Sequence, residues 1–200
     1  MKISKRLISI IFILMLFGNS VYAFVLLTEE QAMQEMFSDV DDIITETKQA
    51  APEQIDAMKE LMGGKLALFQ KGDAAKAIGA KTEFTFYFGI KNGEKVSVSI
   101  IEKQPGKWGP IEYIINMNME GEILNLAVMS FVEKRGKPIA KRMFLKQFIG
   151  KTIKDKFKVK RDIRPISGAT ISSRSACFAV KKCTVLYDEL YLNKSVSVQD

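Results

Sequence analysis

The chain contains no histidine among its 200 residues, and this absence excludes several kinds of catalytic site. A Ser-His-Asp or Cys-His apparatus, a histidine-ligated haem and most catalytic zinc sites all need an imidazole. The sequence also lacks a C-x-x-C pair, a Walker motif and the glycine pattern of dinucleotide-binding folds. Paired carboxylates remain open as hydrolytic groups, although no pair lies in a loop that suggests a pocket. Any chemistry must therefore come from a group brought in from outside.

Cysteine is also scarce, with only Cys177 and Cys183 present, both in the last helical segment. Six residues along a helix correspond to a rise of about 9 Å. The alpha carbons of a disulfide lie within about 7 Å of each other, so these two thiols cannot pair while the helix is intact. We expect both to be buried core thiols.

The N-terminus has the pattern of an export signal. Three cationic side chains in the first six residues precede an apolar run, Leu7–Phe17, and small or apolar residues stand at Val21 and Ala23. An uncleaved anchor is the alternative, but Asn19–Ser20 interrupts the apolar run, which is too short to span a bilayer. We therefore predict a signal peptide over residues 1–23 and an exported protein, periplasmic or on the outer face of the cytoplasmic membrane.

Charge is unevenly distributed along the chain. Residues 24–62 contain ten acids and two lysines, whereas residues 134–164 contain thirteen lysines or arginines and two acids. Removal of the signal would lower the net charge from +7 to +4, because three positive charges and no acids are lost. A basic block can attract nucleic acid, but an exported protein rarely meets any, so no nucleic-acid partner is expected. The block is either a solvated face or the neighbourhood of a bound anion.

Hydrophobic periodicity predicts helices first and strands afterwards. Apolar residues at helical spacing run from Thr28 to Ile44, with a break at Ser38-Asp39 left open, and a second helix runs from Pro52 to Gly63-Gly64. Apolar residues then recur at every second position, which indicates strands, and Asn92-Gly93 predicts a hairpin turn between two of them. We predict strands over Thr82–Ile90, through Val96, Val98 and Ile100, and over Ile111–Met119 and Ile123–Phe131. Helices follow over Ala140–Phe148 and from Ser172 or Ser173 onward.

This order of elements predicts an α+β fold, in which a curved antiparallel sheet packs with helices and an N-terminal helical segment precedes it. The side chains of Phe84, Phe86 and Phe88 share one face of the first strand and are expected in the core. We divide the mature chain into an N-terminal extension (residues 24–106), a main domain (residues 107–190) and a flexible tail (residues 191–200).

The stretch Ser167–Thr170 is the strongest local signal for a bound group. Gly168 allows close approach of the backbone, and the following helix N-terminus offers N–H groups and a positive dipole end to a phosphate. The ordinary alternative is a serine-capped helix after a glycine turn.

The run Ser167-Gly168-Ala169-Thr170-Ile171-Ser172 resembles the S-G-A-T-x-[ST] motif of the FMN-binding domain family. This family includes the flavin-carrying subunits of the sodium-pumping NADH:quinone reductase and of Rnf-type complexes. The resemblance implies FMN esterified through its phosphate to Thr170 by a flavin transferase that uses FAD. It also implies that Ser167, Gly168, Ala169, Ile171 and Ser172 line the phosphate.

The resemblance extends over roughly residues 108–187, through Gly109-Pro110-Ile111 and the run Phe144–Thr152. It implies that the loop Glu133–Pro138 lies near the flavin ring, and that Lys141 and Arg142 contribute positive charge. Trp108 is a candidate to stack on the ring, or simply a packing residue. Family members often carry an acid six residues before the modified threonine, where this chain has Arg164.

The function that this resemblance implies is an exported electron-transfer flavoprotein without turnover of its own. Its expected partners are a flavin transferase and membrane or periplasmic electron-transfer proteins. The alternative is a flavin-free periplasmic module of the same fold that binds a partner or a small anion. A flavin enzyme that reduces a small substrate directly is the third hypothesis.

Overall fold

The structure is a computed structural model that describes residues 22–68, 82–133 and 138–192. Nearly all of the predicted signal peptide, residues 134–137 of the predicted ring-facing loop and the end of the tail lie outside the described residues. The described chain is a six-stranded antiparallel sheet with helices, which confirms the predicted α+β class. The strands are β1 (Tyr22–Val25), β2 (Asp42–Gln49), β3 (Glu83–Lys91), β4 (Glu94–Pro105), β5 (Pro110–Asn118) and β6 (Ile123–Glu133). The helices are α1 (Glu29–Met36), α2 (Pro52–Leu61), α3 (Arg142–Leu145) and α4 (Thr170–Tyr187).

The sheet order is β1-β6-β5-β4-β3-β2, so the central strands follow one another as hairpins. Asn92 and Gly93 join β3 to β4 with φ angles of 53° and 81°, the left-handed backbone that a tight hairpin turn requires. This confirms the predicted hairpin. The side chains of Phe84, Phe86 and Phe88 are at most 3% exposed, as their alternation in the sequence predicted.

The two faces of the sheet are covered by different helices. Helix α4 packs its apolar side, including Ala179 and Val180, against the larger core on one face. Helix α1 covers the other face, where Ala32 and Met36 contact a smaller cluster that includes Met129. Cys177 and Cys183 are both buried in α4 and form no disulfide, as expected. No helix in the described part of the chain is long and apolar enough to cross a membrane.

Helix α1 ends at Met36, so the prediction of helical structure as far as Ile44 was wrong. Residues 42–49 instead form β2, which pairs with β3 along its whole length, from Asp42 opposite Ile90 to Gln49 opposite Glu83. The β-branched residues of β2 fit an extended strand better than a helix. The apolar spacing in this region was therefore not helical periodicity.

Two helix boundaries also differ from the predictions. The segment 140–148 is a 3-10 turn, the four-residue helix α3 and a second 3-10 turn rather than one helix. Helix α4 starts at Thr170, before the predicted Ser172 or Ser173, with Ala169 as its N-cap. Ser173 does not cap the helix because its hydroxyl bonds to the backbone of the preceding turn. After α4 a π-helical turn continues the ordered chain over Asp188–Leu192.

Candidate functional site

Thr170 is the first residue of α4, directly behind a left-handed turn. Gly168 has a φ of 75°, and no atom lies within 4 Å of the position that a Cβ would take there. Ser167 and Gly168 are exposed and Thr170 is half-buried, so the outer side of the turn is accessible. The first hydrogen bond of the helix joins Ser173 N–H to the Ala169 carbonyl, at 2.9 Å. The N–H groups of Thr170 and Ile171 precede this bond at the end of the helix, where an anion is favoured.

A closed set of hydrogen bonds fixes this turn. The Ser173 hydroxyl accepts from Ile166 N–H at 3.1 Å and donates to the Ala169 carbonyl at 2.9 Å. Ala169 N–H donates to the Ile166 carbonyl at 3.0 Å. Because these groups are occupied by one another, the backbone that carries Thr170 is held in one conformation. Ser172 is fully buried, whereas Ser167 and Gly168 are exposed.

Gln147 connects the turn to the run Phe144–Thr152. Its amide oxygen accepts from Arg164 N–H at 2.8 Å, and its amide nitrogen donates to the Arg164 carbonyl at 3.2 Å. The same nitrogen donates to the Phe144 carbonyl at 3.3 Å. The run Phe144–Thr152 is therefore hydrogen-bonded to Arg164, three residues before the Ser167–Ser172 motif.

The position of Thr170 along the sheet follows from two contacts of α4. Tyr113 OH donates to Ser175 Oγ at 3.2 Å near the start of β5, and Tyr187 OH donates to the Met119 carbonyl at 3.1 Å beyond its end. Helix α4 thus runs parallel to β5. Thr170 precedes Ser175 by about 7.5 Å of helix, so it lies at the end of the sheet where β5 begins.

Trp108 lies in the β4–β5 connection at this same end of the sheet. Its side chain is 40% exposed, and the Lys107 ammonium is 5.0 Å from its ring centre. The neighbouring Gly109 packs so closely that a Cβ there would lie 2.6 Å from the Cβ of Val132. The connection therefore holds an accessible aromatic ring on a tightly packed backbone.

Lys141 and Arg142 lie at the start of α3, where both are exposed. Arg142 lines a cavity of about 510 Å³ together with apolar residues of β6 and of the β1–α1 connection, such as Ala127 and Leu26. This cavity is distinct from the turn that carries Thr170. The role of these two cations at the flavin remains a prediction.

A second cavity, of about 410 Å³, was not found by sequence reasoning and is hereafter the basic cavity. It lies along the side of α4 that continues from Thr170, at Arg174, Phe178 and Lys181. Its lining is Met62, Leu68, Lys156, Phe157, Lys158, Val159, Arg161, Arg174, Cys177, Phe178 and Lys181. The helical spacing of Thr170, Arg174 and Phe178 was the signal that could have indicated it, but the other residues come from two distant segments.

Cys177 lines the basic cavity without offering a reactive thiolate. Burial raises the pKa of this thiol to about 12, and the nearby charge of Asp162 acts in the same direction. The thiol is therefore protonated at neutral pH and behaves as an apolar part of the lining.

Comparison with a protein-family model supports the resemblance. Residues 106–185 match the family model described as the FMN-binding domain, which confirms the resemblance and indicates FMN as the cofactor. The fold is also similar to the crystal structure of NqrC from Shewanella oneidensis, with 14% sequence identity and a TM-score of 0.45 over 74% of this chain and 80% of that one. No protein of curated function matches the sequence.

Proposed function

We propose that this protein is an exported electron carrier whose FMN is esterified to Thr170, because residues 106–185 match the FMN-binding domain family. The observation that carries the proposal is the position of Thr170, a hydroxyl on the first residue of a long helix behind an open glycine turn. When bound, FMN supplies the redox chemistry by accepting and releasing one or two electrons.

The surroundings of Thr170 fit a phosphate ester. The α4 N-terminus points N–H groups and a positive dipole end toward the phosphate position. Gly168 leaves the space for phosphate oxygens to approach the backbone, since nothing lies within 4 Å of its missing Cβ. Trp108, a partly exposed aromatic ring at the same end of the sheet, is the candidate contact for an isoalloxazine ring.

Attachment requires an external enzyme, because the chain has no histidine to activate the hydroxyl. In the proposed step Thr170 Oγ attacks the FMN phosphorus of FAD, the bond to AMP breaks, and AMP leaves. The hydroxyl proton passes to a base of the flavin transferase. No net oxidation or reduction accompanies this transfer.

The proposal is tested by expressing the full chain with and without a flavin transferase. We expect a fluorescent flavin band after denaturing electrophoresis only with the transferase. Thr170→Ala should abolish the band while the variant still folds, because one half-exposed hydroxyl contributes little to stability.

The matched control is Thr47→Ala, which removes an exposed threonine hydroxyl from the edge strand β2. It should keep the parent's band intensity. Equal fluorescence in Thr170→Ala and the parent would remove Thr170 from the proposal. A colourless parent from a host that flavinylates other proteins would favour the flavin-free binding module.

A further inference from the structure

The basic cavity combines an apolar floor with a cationic rim. Phe157 and Phe178 contribute aromatic surface, and Met62 and Val159 add aliphatic surface. The rim carries five cations: Lys156, Lys158, Arg161, Arg174 and Lys181. None of these five forms an ion pair with any residue in the ranges that the structure describes.

The acids nearest in sequence to this rim, Asp155 and Asp162, accept hydrogen bonds from the backbone of the same loop. Asp162 accepts hydrogen bonds from the backbone N–H groups of Phe157 and Lys158, at 2.8 Å and 2.6 Å. Asp155 accepts from Thr152 N–H at 2.9 Å and pairs with Lys151 at 3.0 Å. Both carboxylates shape the loop, and Asp162 also offsets part of the rim charge, since its carboxylate acts on Cys177 in the cavity lining. The remaining positive charge of the rim is available to a ligand.

We propose that the basic cavity binds an aromatic phosphate of the nucleotide class, separately from the FMN on Thr170. The volume of about 410 Å³ lies within the usual range for small-molecule sites. The floor suits a planar aromatic group, while Arg161 and Arg174 provide planar guanidinium groups that recognise phosphate in a bidentate manner. Several cations around one opening favour a ligand that carries more than one negative charge.

The basic cavity lies close to Thr170, so its ligand would be near the proposed flavin site. Arg174 lies one helical turn beyond Thr170, a rise of about 6 Å, and Phe178 lies about 12 Å beyond it. The occupant of the basic cavity would therefore sit beside the attached cofactor. Its phosphate charge would act on the same end of α4.

The test uses the mature chain with FMN already attached, so that the Thr170 site is filled. Isothermal titration with ADP, adenosine and inorganic phosphate separates the aromatic and phosphate contributions. We expect ADP to bind at least about tenfold more tightly than either fragment, since charged hydrogen bonds and apolar burial both contribute. Comparable affinity for ADP and inorganic phosphate would contradict the role of the aromatic floor.

Variants assign the binding to this cavity. The double variant Arg161→Ala/Arg174→Ala should weaken ADP binding about tenfold or more, and Phe178→Ala should weaken it more than Phe178→Leu. The charge-matched control Lys91→Ala/Lys103→Ala removes two exposed cations elsewhere and should bind ADP like the parent. Unchanged ADP binding in the arginine double variant would overturn the proposal. So would a lack of ADP binding together with arginine-dependent binding to phosphatidylglycerol vesicles, which would assign the surface to a membrane.

Discussion

Gln147 holds together two stretches of the chain that the sequence separates by 17 residues. Its amide pairs with both the N–H and the carbonyl of Arg164, much as a neighbouring strand would. Arg164 stands where many family members carry an acid, and these hydrogen bonds fix its backbone. The Arg164 side chain is exposed and takes no part in this pairing.

We expect Gln147→Leu to lower the free energy of unfolding by about 1 kcal/mol, because the exposed partners of Gln147 recover hydrogen bonds to water. Gln147→Glu keeps the acceptor for Arg164 N–H and should lose less. Urea denaturation gives the stabilities, and limited proteolysis near Arg164 reports loosening of the turn. If proteolysis is equally slow in Gln147→Leu and the parent, Gln147 does not hold this segment.

At the scale of the element, the entrance to α4 depends on a glycine in the left-handed region. Gly168 and Gly93 have φ angles of 75° and 81°, and at both positions no atom lies within 4 Å of the missing Cβ. Alanine at either site therefore meets the same backbone strain and no steric clash. The proposed phosphate position lies beside Gly168 and not beside Gly93, so Gly93 serves as the control.

Gly168→Ala and Gly93→Ala should each destabilise the fold by about 1 kcal/mol, the cost of a left-handed alanine. Only Gly168→Ala should reduce incorporation of FMN, since its methyl group would stand where phosphate oxygens approach. Flavin absorbance per protein, measured beside thermal unfolding, separates the two effects. Equal flavin content in both variants would show that phosphate does not approach this turn.

The segment after α4 is fastened to the sheet by a charged contact. Glu46 on β2 accepts hydrogen bonds from the Lys95 ammonium on β4 and from Tyr191 OH. The bond from Lys95 is the main reason that the pKa of Glu46 is lowered from its usual 4.5, and Tyr191 adds to the effect against a smaller opposing influence of burial. A carboxylate with a lowered pKa stabilises the fold above its unfolded pKa, and that stability is lost as pH falls through the folded pKa.

Glu46→Gln should therefore destabilise the protein by about 1 kcal/mol at pH 7, and the difference from the parent should shrink as pH falls below 4.5 through the lowered folded pKa. Chemical denaturation at pH 7 and at successively lower pH measures this change. Glu60→Gln, which alters an exposed carboxylate on α2, should change stability little at any of these pH values. A difference that persists at the lowest pH would contradict the ionic origin of the contact.

For the whole molecule, the sequence predicted what depends on neighbours along the chain and missed what depends on distant pairing. The hairpin at Asn92-Gly93 and the Phe84-Phe86-Phe88 face were predictable from local turn chemistry and alternation. Strand β2 was missed because its extended form is set by pairing with β3, some forty residues later. The Ser167–Thr170 motif could be predicted from the sequence because its residues are consecutive. The basic cavity could not be predicted, since it forms only when the end of α2, the loop 156–161 and α4 come together.

The central claim is the bond between FMN and Thr170, and mass spectrometry tests it most directly. Protein produced with a flavin transferase is denatured, its intact mass is measured, and the peptide that contains residues 165–174 is sequenced by fragmentation. We predict an increase of one FMN less one water, located on Thr170. An unmodified mass from a yellow native sample would contradict the covalent bond, and an adduct on any other residue would contradict the assignment of the site.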